Sequence, residues 1–128
     1  MRLNQITASA RDLAASITFY QALGLRLIVR NDHYARFECP DADGGEPATF
    51  SLHLDPAAQG VTATVIYFEE DDLDATVARL KAAGLLFDSD PVDQTWQWRE
   101  ARLRDPAGNA VCLYRAGAIR RFPPWRLA

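Results

Sequence analysis

Residues 12–25, DLAASITFYQALGL, return as residues 72–85, DLDATVARLKAAGL, sixty positions further along the chain. Asp12 and Asp72, Leu13 and Leu73, Ala15 and Ala75, Ala22 and Ala82, Gly24 and Gly84, and Leu25 and Leu85 are identical pairs. In each copy an aspartate precedes apolar residues at helical spacing: Leu13, Ile17, Tyr20 and Leu23 in the first, Leu73, Val77 and Leu80 in the second. The glycine that follows can take the left-handed conformation that ends a helix. An internal period dictates architecture, and two copies are too few for a solenoid. The 128 residues therefore predict a single domain, 1–128, with module one at 1–60, module two at 61–115 and a dissimilar C-terminal tail at 116–128.

Around the helices the pattern switches to strands, predicted at 2–9, 25–30, 33–39 and 48–54 in the first module. In the second they are predicted at 62–70, 85–88, 95–104 and 109–115. Asn31-Asp32, the stretch 40–47 and DPAGN at 105–109 supply turns, and the loop near 55–61 links the modules. Each module reads as βαβββ, so the fold class is α+β. Alternation assigns the faces. Ile6 and Ala8, Phe37, Phe50, Leu52 and Leu54 face a helix. Gln5, Thr7 and Ser9, Tyr34, Arg36 and Glu38, and Ser51 and His53 face the other way. If Arg104 pairs with Ala110 across DPAGN, then Arg102 faces Cys112, Glu100 faces Tyr114, and Leu103, Val111 and Leu113 turn to the helix.

The net charge of −3 and the lack of a basic stripe argue against a nucleic-acid partner. No apolar run approaches the ~18 residues of a membrane span, and MRLNQITASARD lacks the apolar core of a signal peptide. The expectation is a cytoplasmic protein without a membrane partner, its Cys39 and Cys112 free thiols in separate halves.

Three stretches, RDLAASITFYQALGL, VIYFEEDDLDATVARLKAAG and LRDPAGNAVCLY, stand in an order and spacing that resemble the glyoxalase/bleomycin-resistance/dioxygenase group, the vicinal oxygen chelate superfamily, over residues 2–115. The resemblance implies two pseudo-symmetric modules whose sheets curl around a cavity. It leaves the activity open, because the superfamily contains lyases, dioxygenases, transferases and proteins that only sequester a drug. Its metal-dependent members draw four ligands from positions that here hold Gln5, Ser51, Val65 and Cys112. Valine cannot ligate and serine ligates poorly, so no cofactor is predicted. A remodelled divalent-metal site on Gln5, His53 and Cys112, with Glu100 or Glu69 near, is the alternative.

Two functions follow. In one the protein binds a small anionic or oxygenated molecule without metal. Tyr67, Trp96 and Trp98 supply an aromatic wall, Arg102 or Arg36 anchors an anion, and Gln5, Cys112 and Tyr114 complete the lining. The residue spacing places Arg36 beside Glu38 and Arg102 beside Glu100 on common faces, each arginine braced by its glutamate. In the other the protein is a lyase or isomerase on a small oxygenated carbonyl compound, with His53 or Glu100 moving a proton. Each residue also has an ordinary structural reading: His53 as a hydrogen-bonded lining residue, Cys112 as buried filler, the charge pairs as surface ion pairs. The tail AGAIRRFPPWRLA, with Phe122, Pro123-Pro124 and Trp125, needs a docking place on its own subunit or on a second one, and with the resemblance it points to a homodimer.

Overall fold

A computed structural model describes residues 1–40, 44–58 and 64–128. Parts of the expected 40–47 turn, of the linker and of the 62–70 strand lie outside the described residues. The chain divides into two compact units, Met1–Val61 with Asp105–Asn109, and Thr62–Arg104 with Ala110–Ala128.

The first unit runs β1 (Gln5–Ala10), α1 (Leu13–Ala22), β2 (Arg26–Arg30), β3 (Tyr34–Cys39) and β4 (Ala48–Leu54), with sheet order β1-β4-β3-β2. The second repeats it with β5 (Val65–Glu69), α2 (Leu73–Ala82), β6 (Val92–Asp93), β7 (Arg99–Arg104) and β8 (Ala110–Arg115), ordered β5-β8-β7-β6. In each sheet the first strand pairs parallel with the last and the other pairs are antiparallel. The repeated sequence is thus a repeated topology, two βαβββ modules in an α+β fold.

The helix signals act as their chemistry requires. Asp12 accepts a hydrogen bond from Ala15 N at 3.0 Å, and Asp72 accepts from Ala75 N at 3.1 Å, each satisfying an otherwise orphaned donor of the first turn. Gly24 and Gly84 stand at φ 100° and 94°, where a β-carbon would clash with its own backbone. The apolar helical series buries Leu13, Ile17, Tyr20 and Leu23 in one unit and Leu73, Val77 and Leu80 in the other. Tyr20 lies 4.4 Å from Phe50 and 6.0 Å from Phe37, ring centre to ring centre, so an aromatic cluster ties α1 to β3 and β4.

DPAGN does more than reverse the chain. Its Asp105 is 4% exposed and accepts four hydrogen bonds: from Ala107 N, Asn109 N, the Asn109 amide and the Tyr20 hydroxyl, the last at 2.8 Å. Asn109 also donates to Ser9 O at 2.8 Å. A carboxylate so buried is tolerated only with such saturation. Burial, then the Asp105 charge, pushes the Tyr20 phenol far above its usual range.

Two strand expectations need correction. At 85–88 only a single bridge forms, Phe87 to Leu103, and the edge position beside β7 goes to β6. Leu86 is exposed, Asp88 N and the Ser89 hydroxyl serve Arg102 backbone groups, and Pro91 lacks the N–H a ladder needs. Residues 95–98 turn rather than extend, closed by Gln94 N to Trp98 O and Gln97 N to Gln94 O, with Gln97 at φ 67°.

Candidate functional site

On the first sheet the face away from α1 carries a chain of hydrogen bonds. Gln5 Nε2 donates to the buried Ser51 hydroxyl at 2.7 Å, Ser51 and Tyr34 hydroxyls share a hydrogen at 2.7 Å, and Arg36 Nε donates to the Tyr34 oxygen at 2.8 Å. Thr49 donates to Gln5 Oε1. The register explains the convergence, since Arg36 lies opposite Ser51 and Thr7 beside it. Partial burial pulls the Tyr34 phenol upward, yet hydrogen bonds from Ser51 and Arg36 and the Arg36 charge outweigh it and hold the group below its usual value. Arg36 is therefore not braced by Glu38 as the spacing suggested. Glu38 lies opposite Arg26 on β2 and pairs loosely with it at 3.9 Å, leaving Arg36 to its other neighbour on the strand. His53 sits on the same face, opposite Tyr34 and Ser9, exposed and without a side-chain hydrogen bond among the described residues.

The second sheet presents a denser face. Arg104 opposite Ala110 sets Arg102 opposite Cys112 and Glu100 opposite Tyr114, the register anticipated across DPAGN. Tyr67 lies beside Cys112 on β5. Glu100 is 2% exposed, and both its oxygens are engaged: Oε1 by the Trp96 indole N–H and Oε2 by Arg102 Nη2, each at 2.9 Å. A carboxylate gripped on one oxygen by an indole N–H and on the other by a guanidinium fixes the orientation of both neighbours. Arg102 Nη2 also reaches the Tyr67 hydroxyl at 3.4 Å, whereas its Nε and Nη1 make no hydrogen bond among the described residues.

The Arg102 guanidinium lies over the Tyr67 ring, 5.9 Å from its centre. Trp98 stacks on Tyr114 with ring centres 4.7 Å apart, and Tyr67 meets both edge-on at 6.0 and 5.6 Å. Tyr67 and Trp96 remain about two-fifths exposed, so this surface is open to a visitor. Burial and the Glu100 charge push the Cys112 thiol up to about 12, which keeps it a protonated, inert filler at neutral pH. Burial and Glu69 push Tyr114 up to about 12 as well. Glu69 itself accepts from Ala116 N and Gly117 N at 2.9 and 2.7 Å and faces Arg120 at 3.6 Å, tying down the start of the tail and its short 3-10 turn, Gly117–Arg120.

Of the residues singled out from sequence, Tyr67, Trp96, Trp98, Glu100, Arg102, Cys112 and Tyr114 come together on one face of the second unit. Gln5, Arg36 and His53 share a face of the first. Tyr34 escaped nomination, although its position two residues before Arg36 on one strand was a usable signal. Among the described residues no three of His, Cys, Asp and Glu gather as a metal would need.

A βαβββ unit used twice, the second copy with an aromatic and guanidinium-bearing sheet face, defines a two-module α+β fold. The sequence profile of the Glyoxalase/Bleomycin resistance protein/Dioxygenase superfamily matches residues 2–113, and the chain belongs to that superfamily. Solved structures agree on the fold. A glyoxalase/bleomycin resistance protein/dioxygenase from Nocardioides is 24% identical over 100% of this chain and 90% of that one, with a TM-score of 0.76. A bleomycin-binding protein complexed with bleomycin is 19% identical over 91% and 98%, TM-score 0.71. Lactoylglutathione lyase from Agrobacterium tumefaciens is 20% identical over 94% and 97%, TM-score 0.73. No curated protein matches the chain.

Proposed function

We propose that the protein binds a small anionic or oxygenated molecule, without a metal, on the exposed face of its second sheet. The observation that carries the reading is Arg102. Its Nη2 is held by the buried Glu100 carboxylate while Nε and Nη1 are left to donate, and a guanidinium fixed in this way is pre-organised for a carboxylate. Tyr67 offers ring surface beneath it, Trp98 packs against Tyr67, and Trp96 is steered by the same glutamate. The bleomycin-binding protein of this fold makes drug-like ligands a reasonable class to test.

Donor chemistry supports metal independence. At the superfamily's ligand positions Gln5 donates its amide N–H to Ser51 and shares its oxygen with Thr49, and Val65 has no donor atom. Zinc or another divalent ion asks for deprotonated or lone-pair donors converging on one point, so these residues do not fit it. His53 lacks an orienting partner among the described residues, which favours binding over proton-transfer chemistry. No helix among the described residues is long and apolar enough to cross a membrane. We place the protein in the cytoplasm as a homodimer, the second part supported by Phe122, Trp125 and Leu127, which are 58%, 56% and 90% exposed on the tail. The test is a thermal-shift panel of bleomycin, small carboxylates and hydroxy-ketones, with NMR following each hit for conversion. Binding without conversion supports the reading. Conversion abolished by His53→Ala replaces it with the lyase or isomerase.

A further inference from the structure

The opposite parity of the second sheet carries a separate constellation. Arg99 on β7 stands directly across from Arg115 on β8. Like charges so opposed repel unless each is compensated. Arg99 is compensated fully: its Nε and Nη2 donate to the two Asp74 oxygens at 2.8 Å each, and its Nη1 to Asp93 at 3.0 Å. Arg115 is not, for its exposed side chain has neither an ion pair nor a hydrogen bond among the described residues. Both arginines line an open pocket of about 330 Å³ with Asp93, Gln97, Trp98 and Ala116, a size at the lower end for small-molecule sites.

The turn that brings Gln97 to this pocket is itself unusual. Gln97 holds φ 67°, a left-handed conformation that a residue with a β-carbon adopts at a cost, and the hydrogen bonds of Gln94 and Gln97 pin it there. The hairpin loop between β6 and β7 accounts for the conformation of Gln97, and the result is a small concavity that offers both a guanidinium with its donors unused among the described residues and a side-chain amide. We propose that this pocket is a second binding site, for a flat monocarboxylate. Arg115 takes the carboxylate through two N–H bonds, the Gln97 amide orients it, and the part of Trp98 that borders the pocket, with Ala116, meets the apolar body. Asp93, already on Arg99, repels a second negative charge and so selects monoanions.

Amide-detected NMR of the intact chain, titrated with sodium benzoate and its neutral isostere benzamide, tests this. Benzoate should give saturable shifts at the Gln97, Trp98, Arg99 and Ala116 amides in the millimolar range. Binding should fall on the order of tenfold or more for Arg115→Gln and for benzamide, the loss of a charge-assisted hydrogen bond. The same shifts should persist in Arg102→Gln, so this site and the Arg102 site can fail independently. Absence of saturable shifts at these amides up to about 50 mM, roughly an order of magnitude above the millimolar range expected, overturns the proposal. So do shifts that survive Arg115→Gln, or that vanish with Arg102→Gln alone.

Discussion

Arg102→Ala should destabilise the protein through what it leaves behind. Glu100 is 2% exposed, and Arg102, with 41% of its side chain exposed, supplies one of its two donors. Breaking a fully buried pair by removing one partner costs ~3–5 kcal/mol, because the other charge is stranded. Here water can enter where the guanidinium was, so the expected loss is about 2 kcal/mol. For a chain of this size that is a fall of roughly 6–10 °C in Tm. A double-mutant cycle isolates the cause. In a Glu100→Gln background no charge is stranded, and Arg102→Ala should then cost under about 1 kcal/mol. Urea unfolding with unchanged m-values is the assay. An Arg102→Ala cost that is the same in both backgrounds would refute the clamp, and with it the pre-organised anchor.

Tyr20→Phe, which removes one of the four donors to buried Asp105, should cost about 1–2 kcal/mol in the same urea assay. At alkaline pH the raised thiol of Cys112 sets the sign: its contribution to stability is complete below the ordinary value of 9.0 and is lost as pH climbs to about 12. Thermal melts should fall over that window, less steeply in Cys112→Val, and iodoacetamide at pH 8 should label Cys112 only after unfolding. Tyr34 shifts the other way, so its phenolate absorbance should appear below the usual tyrosine range and move up in Arg36→Gln. Light scattering at micromolar concentration should give twice the 14.3 kDa chain mass, and a monomer would dismiss the dimer.

The repeat made most of the fold legible. Asp12 and Asp72 cap, Gly24 and Gly84 terminate, and the alternation on β7 and β8 sets the face that holds Glu100 and Arg102, because burial specifies register wherever one side of a sheet meets a helix. Legibility failed where burial did not decide. Leu85-Leu86-Phe87 has the composition of a strand, yet Leu86 points into solvent and the edge of the sheet falls to Val92–Asp93. Spacing put Glu38 and Tyr34 equally near Arg36, and the structure has Arg36 on the phenol while Glu38 lies opposite Arg26. Gln97 could not be foreseen, since a glutamine in the left-handed region has no compositional mark.

Calorimetric titration of chelator-treated protein with the best carboxylate hit of the thermal-shift panel, run on wild type and on folded Arg102→Gln, bears most directly on the function. A metal-free anchor predicts an affinity indifferent to the chelator and on the order of tenfold or more weaker in the variant. Affinity that disappears with the chelator, returns with a divalent ion and ignores Arg102→Gln would contradict it.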